Sequence, residues 1–123
     1  MSPPSAREVL DRRRTEQASL LASGQRFADG LDPTLDVRAA VVFGSVARGD
    51  FHDASDIDVL VVAGRLPERV LDRHAAIGVL PARVQLVIWT VAEWERERAR
   101  GNPIAIEACE HGRVLRGDLA ALS

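Results

Sequence analysis

Apolar and polar residues fall into blocks along the chain, and the blocks have two different periods. Residues 5 to 29 are mostly polar, with Val9, Leu10, Leu20 and Leu21 as sparse apolar positions. Ser5 followed by Glu8 is a capping-box pattern, in which each side chain satisfies the other's backbone N–H. The spacing predicts a helix from about Ala6 to Phe27 on the surface of the domain. Gly30 and Asp32-Pro33 break it. Residues 1 to 4 read as a frayed tail. Val37 to Phe43 is an apolar, valine-rich run between Asp36 and Gly44, the pattern of a buried strand. Gly44 to Asp53 reads as a turn, with a short helix at Ser45 to Arg48. Asp56 to Ala63 is a second strand, amphipathic at its start and apolar from Leu60 to Val62.

The second half continues in the same style. Pro67 suits the first turn of a helix over Glu68 to Ile77, with Val70, Leu71, His74 and Ile77 at helical spacing. Arg83 to Trp89 is a third strand that puts Val84, Leu86 and Ile88 on one face. Thr90 and Glu93 form another capping box, opening a charged helix to about Arg100. Asn102-Pro103 caps a helix over Ile104 to His111, with Gly112 after it. Val114-Leu115 reads as a short final strand or extended segment. This order predicts an α+β domain with α/β-like layering: a small mixed sheet flanked by helices. One domain is expected over residues 1–123, with an N-terminal helix at 5–29 and a core at 36–117.

Composition narrows the class. A chain of 123 residues suits one domain. Its 46% apolar and 28% charged residues are those of an ordinary globular protein. A formal net charge of −2 gives no global field toward nucleic acid or an anionic membrane. The single cysteine, Cys109, rules out an intramolecular disulfide and fits a reducing compartment. No apolar run approaches the roughly 18 residues of a membrane span. The first residues lack the basic region and apolar core of a signal peptide. A cytoplasmic protein is expected, and the oligomeric state is left open.

The chemistry concentrates between Phe43 and Val62. Asp56 and Asp58 are two apart in a strand, so both carboxylates point to one side. They repel unless a cation lies between them. Magnesium, a hard ion that takes carboxylate and phosphate oxygens, suits that place. The preceding Gly44 lets the backbone approach a ligand. Ser45 offers a hydroxyl and an N–H to a phosphate, a short helix there would add further N–H groups, and Arg48 lies within reach of phosphates. An isolated Asp-x-Asp also suits a polar hairpin with solvated carboxylates. Gly-Ser, ten residues, then Asp-x-Asp recurs by chance in on the order of one such chain in a thousand.

Phe43-Gly44-Ser45-Val46-Ala47-Arg48-Gly49-Asp50, followed by Ser55-Asp56-Ile57-Asp58-Val59-Leu60-Val61, resembles the signature of the polymerase-beta-like nucleotidyltransferase superfamily. Within it, the chain is similar to the minimal nucleotidyltransferases, the antitoxin partners of HEPN-type toxins. The resemblance is firm over about Val37 to Ala63 and looser to Leu115. It implies a nucleotidyltransferase fold and transfer of a nucleoside monophosphate, AMP from ATP, to a hydroxyl on a partner protein. It also implies that Asp56 and Asp58 are catalytic residues that hold Mg²⁺, while Gly44 and Ser45, with Arg48, hold the nucleotide. Active relatives carry a third carboxylate on a neighbouring strand. That position falls here on Gln85, a neutral ligand, and weakens the case for a second metal ion. Asp50, Asp53 or Glu93 could stand in. The competing expectation is a catalytically weakened binding module that neutralises a HEPN-type toxin by contact.

The remaining polar residues suggest less. His52 reads as a solvated loop histidine. Cys109 reads as a small buried apolar residue. Trp89 and Trp94 read as core or interface residues. Arg12-Arg13-Arg14 and Glu95-Arg96-Glu97-Arg98 read as solvated helix faces. No serine or cysteine has a base partner that would suggest a hydrolase.

Overall fold

The computed structural model describes residues 2–122; Met1, the first residue of the expected tail, lies outside them. Helix α1 spans Ala6–Asp29, and both halves of the Ser5/Glu8 capping box form. Strand β1 is Val37–Phe43, α2 is Ser45–Arg48 and β2 is Ile57–Ala63. Then come α3 at Val70–Ile77, β3 at Val84–Thr90, α4 at Val91–Ala99, α5 at Pro103–His111 and β4 at Arg113–Gly117.

The strands form one mixed sheet in the order β3-β2-β1-β4. β1 is antiparallel to both β2 and β4, whereas β2 and β3 run parallel. Alternation along the strands sorts apolar side chains onto two faces. Ala40, Val42, Ile57, Val59 and Val61 pack under α1 and α2 with Ala28, Val46, Ala47 and Phe51. Ala39, Val41, Leu60 and Val62 pack under α4 and α5 with Trp94, Ala105 and Ala108. Gly24 lets α1 lie close to the sheet, since a Cβ there would sit 3.2 Å from Val42 Cγ2. Among the described residues, no helix is long and apolar enough to cross a membrane.

Several local expectations are corrected. The third helix starts at Val70, with Arg69 in the N-cap position but no side-chain cap, and not at Glu68 with Pro67 in its first turn. Val70 and Leu71 are exposed, and the buried residue of α3 is Arg73. Its Nε donates to the Pro67 carbonyl at 2.7 Å and Nη1 to Glu93 at 2.6 Å, so the charge of the inward arginine is paired. Cys109 is exposed, not buried, because Ala105 and Ala108 define the inner face of α5. The core extends past residue 117, since Leu119 is buried against the α4–α5 face.

Candidate functional site

One end of the sheet gathers the residues singled out above. β1 ends at Phe43, which pairs with Asp58 at the start of β2. Asp58 in turn pairs with Gln85 at the start of β3. Paired residues project to the same side of a sheet, so Phe43, Asp58 and Gln85 form a row across three strands. The row lies on the α4–α5 face, because Ile57 and Val59 on either side of Asp58 enter the α1 core. Leu60 and Val62 continue that face inward and are buried, while Asp58 sits at its rim and is only half-buried. Asp56 is exposed and lies one residue ahead of β2, outside the strand in which it was expected.

The turn after β1 touches this row directly. Gly44 has φ +76° and ψ −155°, a conformation open to glycine. A Cβ on Gly44 would lie 2.6 Å from Asp58 Oδ2, so only a hydrogen fits there. The Arg48 N–H donates to the Gly44 carbonyl at 3.1 Å, the first bond of α2. N–H groups ahead of that bond have no helical acceptor and are left for other partners. Gly49, at φ +89°, ends the helix.

Electrostatics distinguish the charged groups. Burial pushes the Asp58 carboxyl above the usual range, Asp56 pushes it further, and Arg48 partly offsets both. Arg48 is already engaged: Nε meets Asp50 at 3.1 Å and Nη1 bonds Glu107 of α5. The arginine expected to meet phosphates therefore has two protein carboxylates to leave first. Asp50 is held below its usual range chiefly by that hydrogen bond from Arg48.

None of the expected stand-ins joins the aspartate pair. Asp50 is committed to Arg48. Asp53 lines a shallow depression of about 220 Å³ on the α1 side, with Glu16, Ser19 and Arg83. Glu93 pairs with Arg73 and caps α4, beyond the far end of β3 from Gln85. Among the described residues, no group of three or more His, Cys, Asp or Glu side chains is placed to share a metal ion. Asp56 is near enough to raise Asp58, so the two carboxylates could hold one hard cation, with water and phosphate oxygens completing its shell. The neutral Gln85 amide beside Asp58 does not supply the charge for a second.

Other residues position the site and carried little signal in the sequence. Arg83 adopts φ +71° and its Nε donates to the Ser55 carbonyl at 3.0 Å. The Ile57 N–H donates to the Arg83 carbonyl at 2.7 Å. These bonds fix the segment that carries Asp56. His52 is a loop residue as expected, with Nδ1 accepting from the Ala54 N–H at 3.2 Å. Arg13 is not a solvated member of its arginine run: its guanidinium stacks 4.5 Å from the Phe51 ring centroid and donates to loop carbonyls. Trp94 is fully buried, 6.3 Å from Trp89 between ring centroids. Glu107 was not a sequence candidate, because its link to Arg48 spans 59 positions.

Comparison with known proteins bears on the family and the fold. A family model described as a nucleotidyltransferase domain matches residues 26–114. A protein of Methanocaldococcus jannaschii, named as a proposed protein adenylyltransferase, is 42% identical over 53 residues. That match covers 43% of this chain and 32% of the relative, so the matched segment spans about a third of the relative's length. The crystal structure of a proposed nucleotidyltransferase from Sulfolobus solfataricus superposes with a TM-score of 0.60 and 23% identity. The superposition covers 83% of this chain and 84% of that one, which supports the shared fold. A toxin–antitoxin structure with AMP-PNP is 17% identical over 86% of this chain and 77% of that one. Its TM-score of 0.49 is too low to support an argument.

Proposed function

The chain belongs to the nucleotidyltransferase domain family, and from that premise we propose that it transfers AMP from ATP to a hydroxyl on a partner protein. The observation that carries this reading is the close approach of Asp58 to Gly44, where a Cβ would lie 2.6 Å from Asp58 Oδ2. It brings a turn able to hold phosphates against a carboxylate able to hold their counter-ion. Asp56 and Asp58 are the metal ligands in this reading, and Gly44, Ser45 and Arg48 hold the triphosphate. Magnesium, when bound, neutralises phosphate charge and orients the reacting oxygens. The acceptor oxygen bonds to the α-phosphorus, the bond to the bridging oxygen breaks, pyrophosphate leaves and the acceptor proton passes to solvent. The partner we favour is a HEPN-type toxin, on the sequence resemblance given above, with a tyrosine as acceptor. The chain contains no tyrosine, so it cannot modify itself at such a residue.

The second reading is a binding module with weakened or absent catalysis. Gln85 paired with Asp58 favours it, because no third carboxylate joins Asp56 and Asp58 among the described residues. Incubation with labelled ATP, Mg²⁺ and a HEPN-type partner protein separates the two. Transfer is expected from the wild type and not from Asp56→Asn/Asp58→Asn. If the partner stays unlabelled with both, the enzyme reading is wrong. A complex that still forms and silences the partner then supports the binding module.

A further inference from the structure

We propose that Gln17, together with Arg13 and Arg113, is a positioning residue for the Gly44-Ser45 turn and thereby sets nucleotide affinity. The inference rests on the reading of that turn as the triphosphate site. Helix α2 has only four residues, too few to hold its own conformation in water. Its last carbonyls and those of the following loop also lack helical partners. Three side chains from elsewhere in the fold take them.

Gln17 Nε2 donates to the Val46 carbonyl at 2.8 Å and to Ala47 at 3.4 Å. Arg113 Nε, at the start of β4, donates to Ala47 at 3.2 Å. Arg13 donates to Gly49 at 3.2 Å and to Phe51. Arg13 and Gln17 are four apart and share one face of α1. Gly24, seven positions on, lies on that face too, where α1 meets Val42 of β1. β1 is the strand that ends in Phe43 and leads into Gly44. The clamp and the turn are thus referenced to the same strand.

None of these donors reaches the aspartates or the turn itself. They act through the backbone of residues 46 to 51, on which the direction of the Gly44 and Ser45 N–H groups depends. Loss of Gln17 leaves α2 free to tilt against Asp58. A bond that served only stability would lower the melting temperature without touching nucleotide affinity.

The test measures binding of a non-hydrolysable ATP analogue with Mg²⁺ by calorimetry, alongside thermal melts. Gln17→Leu is expected to raise the Kd about fivefold to tenfold, the scale of one lost hydrogen bond. Gln17→Lys, which restores a donor, should bring it back to within about twofold. The control is Gln25→Leu, which removes a 2.9 Å bond from the same helix to the Leu115 carbonyl, away from the turn. It should lower the melting temperature and leave the Kd unchanged. Equal effects of the two leucine variants on Kd would overturn the inference. If Gln17→Leu does not fold, Gln17→Ala carries the same comparison. A wild type that binds no analogue would remove the triphosphate reading itself, and this inference with it.

Discussion

Replacing Gly44 by alanine probes the contact on which the site depends, and the molecule contains a matched control. Gly44 and Gly78 have nearly the same backbone, φ +76° with ψ −155° and φ +83° with ψ −155°. Both lie in a region that costs a residue with a Cβ about 1–3 kcal/mol. At Gly78 a Cβ would meet nothing within 4 Å. Gly78→Ala should therefore lose only the backbone contribution, roughly 3–5 °C of melting temperature per kcal/mol at this chain size. At Gly44 the Cβ would sit 2.6 Å from Asp58 Oδ2, closer than real Cβ contacts allow. The carboxylate must rotate off its rotamer, adding about 0.5–1.5 kcal/mol. More telling is binding, because the rotated carboxylate no longer faces the turn. Calorimetry with Mg²⁺ and an ATP analogue should give a Kd at least about tenfold weaker for Gly44→Ala, roughly 1.4 kcal/mol. Gly78→Ala should bind like the wild type. Two variants that lose equal stability and bind alike would refute the proposed coupling of Gly44 to Asp58.

Other consequences are equally concrete. Asp58 is raised by burial and then by Asp56, so its contribution to stability is present below the ordinary carboxylate pKa of about 3.9 and is lost as pH rises through the raised value. Without metal, Asp58→Asn should thus melt higher than wild type at neutral pH, with the gap closing in acid; a gap independent of pH contradicts this. Glu107→Gln removes one partner of Arg48 and should tighten analogue binding about threefold, the scale of a half-exposed ion pair; weaker binding would show that Arg48 needs Glu107 to reach phosphate. Gln85→Asp puts a third carboxylate beside Asp58 and should create a second Mn²⁺ site by titration. It should also raise transfer about tenfold, roughly 1.4 kcal/mol of barrier. A folded variant with one site and flat activity would mean that Gln85 is not the missing ligand position.

The legible parts of this fold are those with local causes. Ser5 and Glu8, and Thr90 and Glu93, cap helices because each pair lies within one turn. Val37 to Phe43 forms a strand at the expected bounds, because both of its faces find a core. Asp58 and Gln85 come to lie side by side because β2 and β3 run parallel, as a strand–helix–strand order favours. What stayed hidden depends on distant partners. Arg73 could turn inward because Glu93, 20 residues later, meets it, and that left Val70 and Leu71 in solvent. Arg13 looks like its neighbours Arg12 and Arg14 until the Gly49 carbonyl, 36 residues away, selects it. The exposure of Cys109 follows from the rotation of α5, which two small alanines set without any strong apolar signal.

In the proposed function, the Gly44-Ser45 turn and the Asp56/Asp58 pair together hold a nucleoside triphosphate with a divalent cation. Titration of the wild type and of Asp56→Asn/Asp58→Asn with the ATP analogue, each with Mg²⁺ and with EDTA, tests it most directly. Binding by the wild type that EDTA abolishes is expected, and none by the double variant in either condition. Binding of equal strength by the folded double variant, or by the wild type in EDTA, would contradict it.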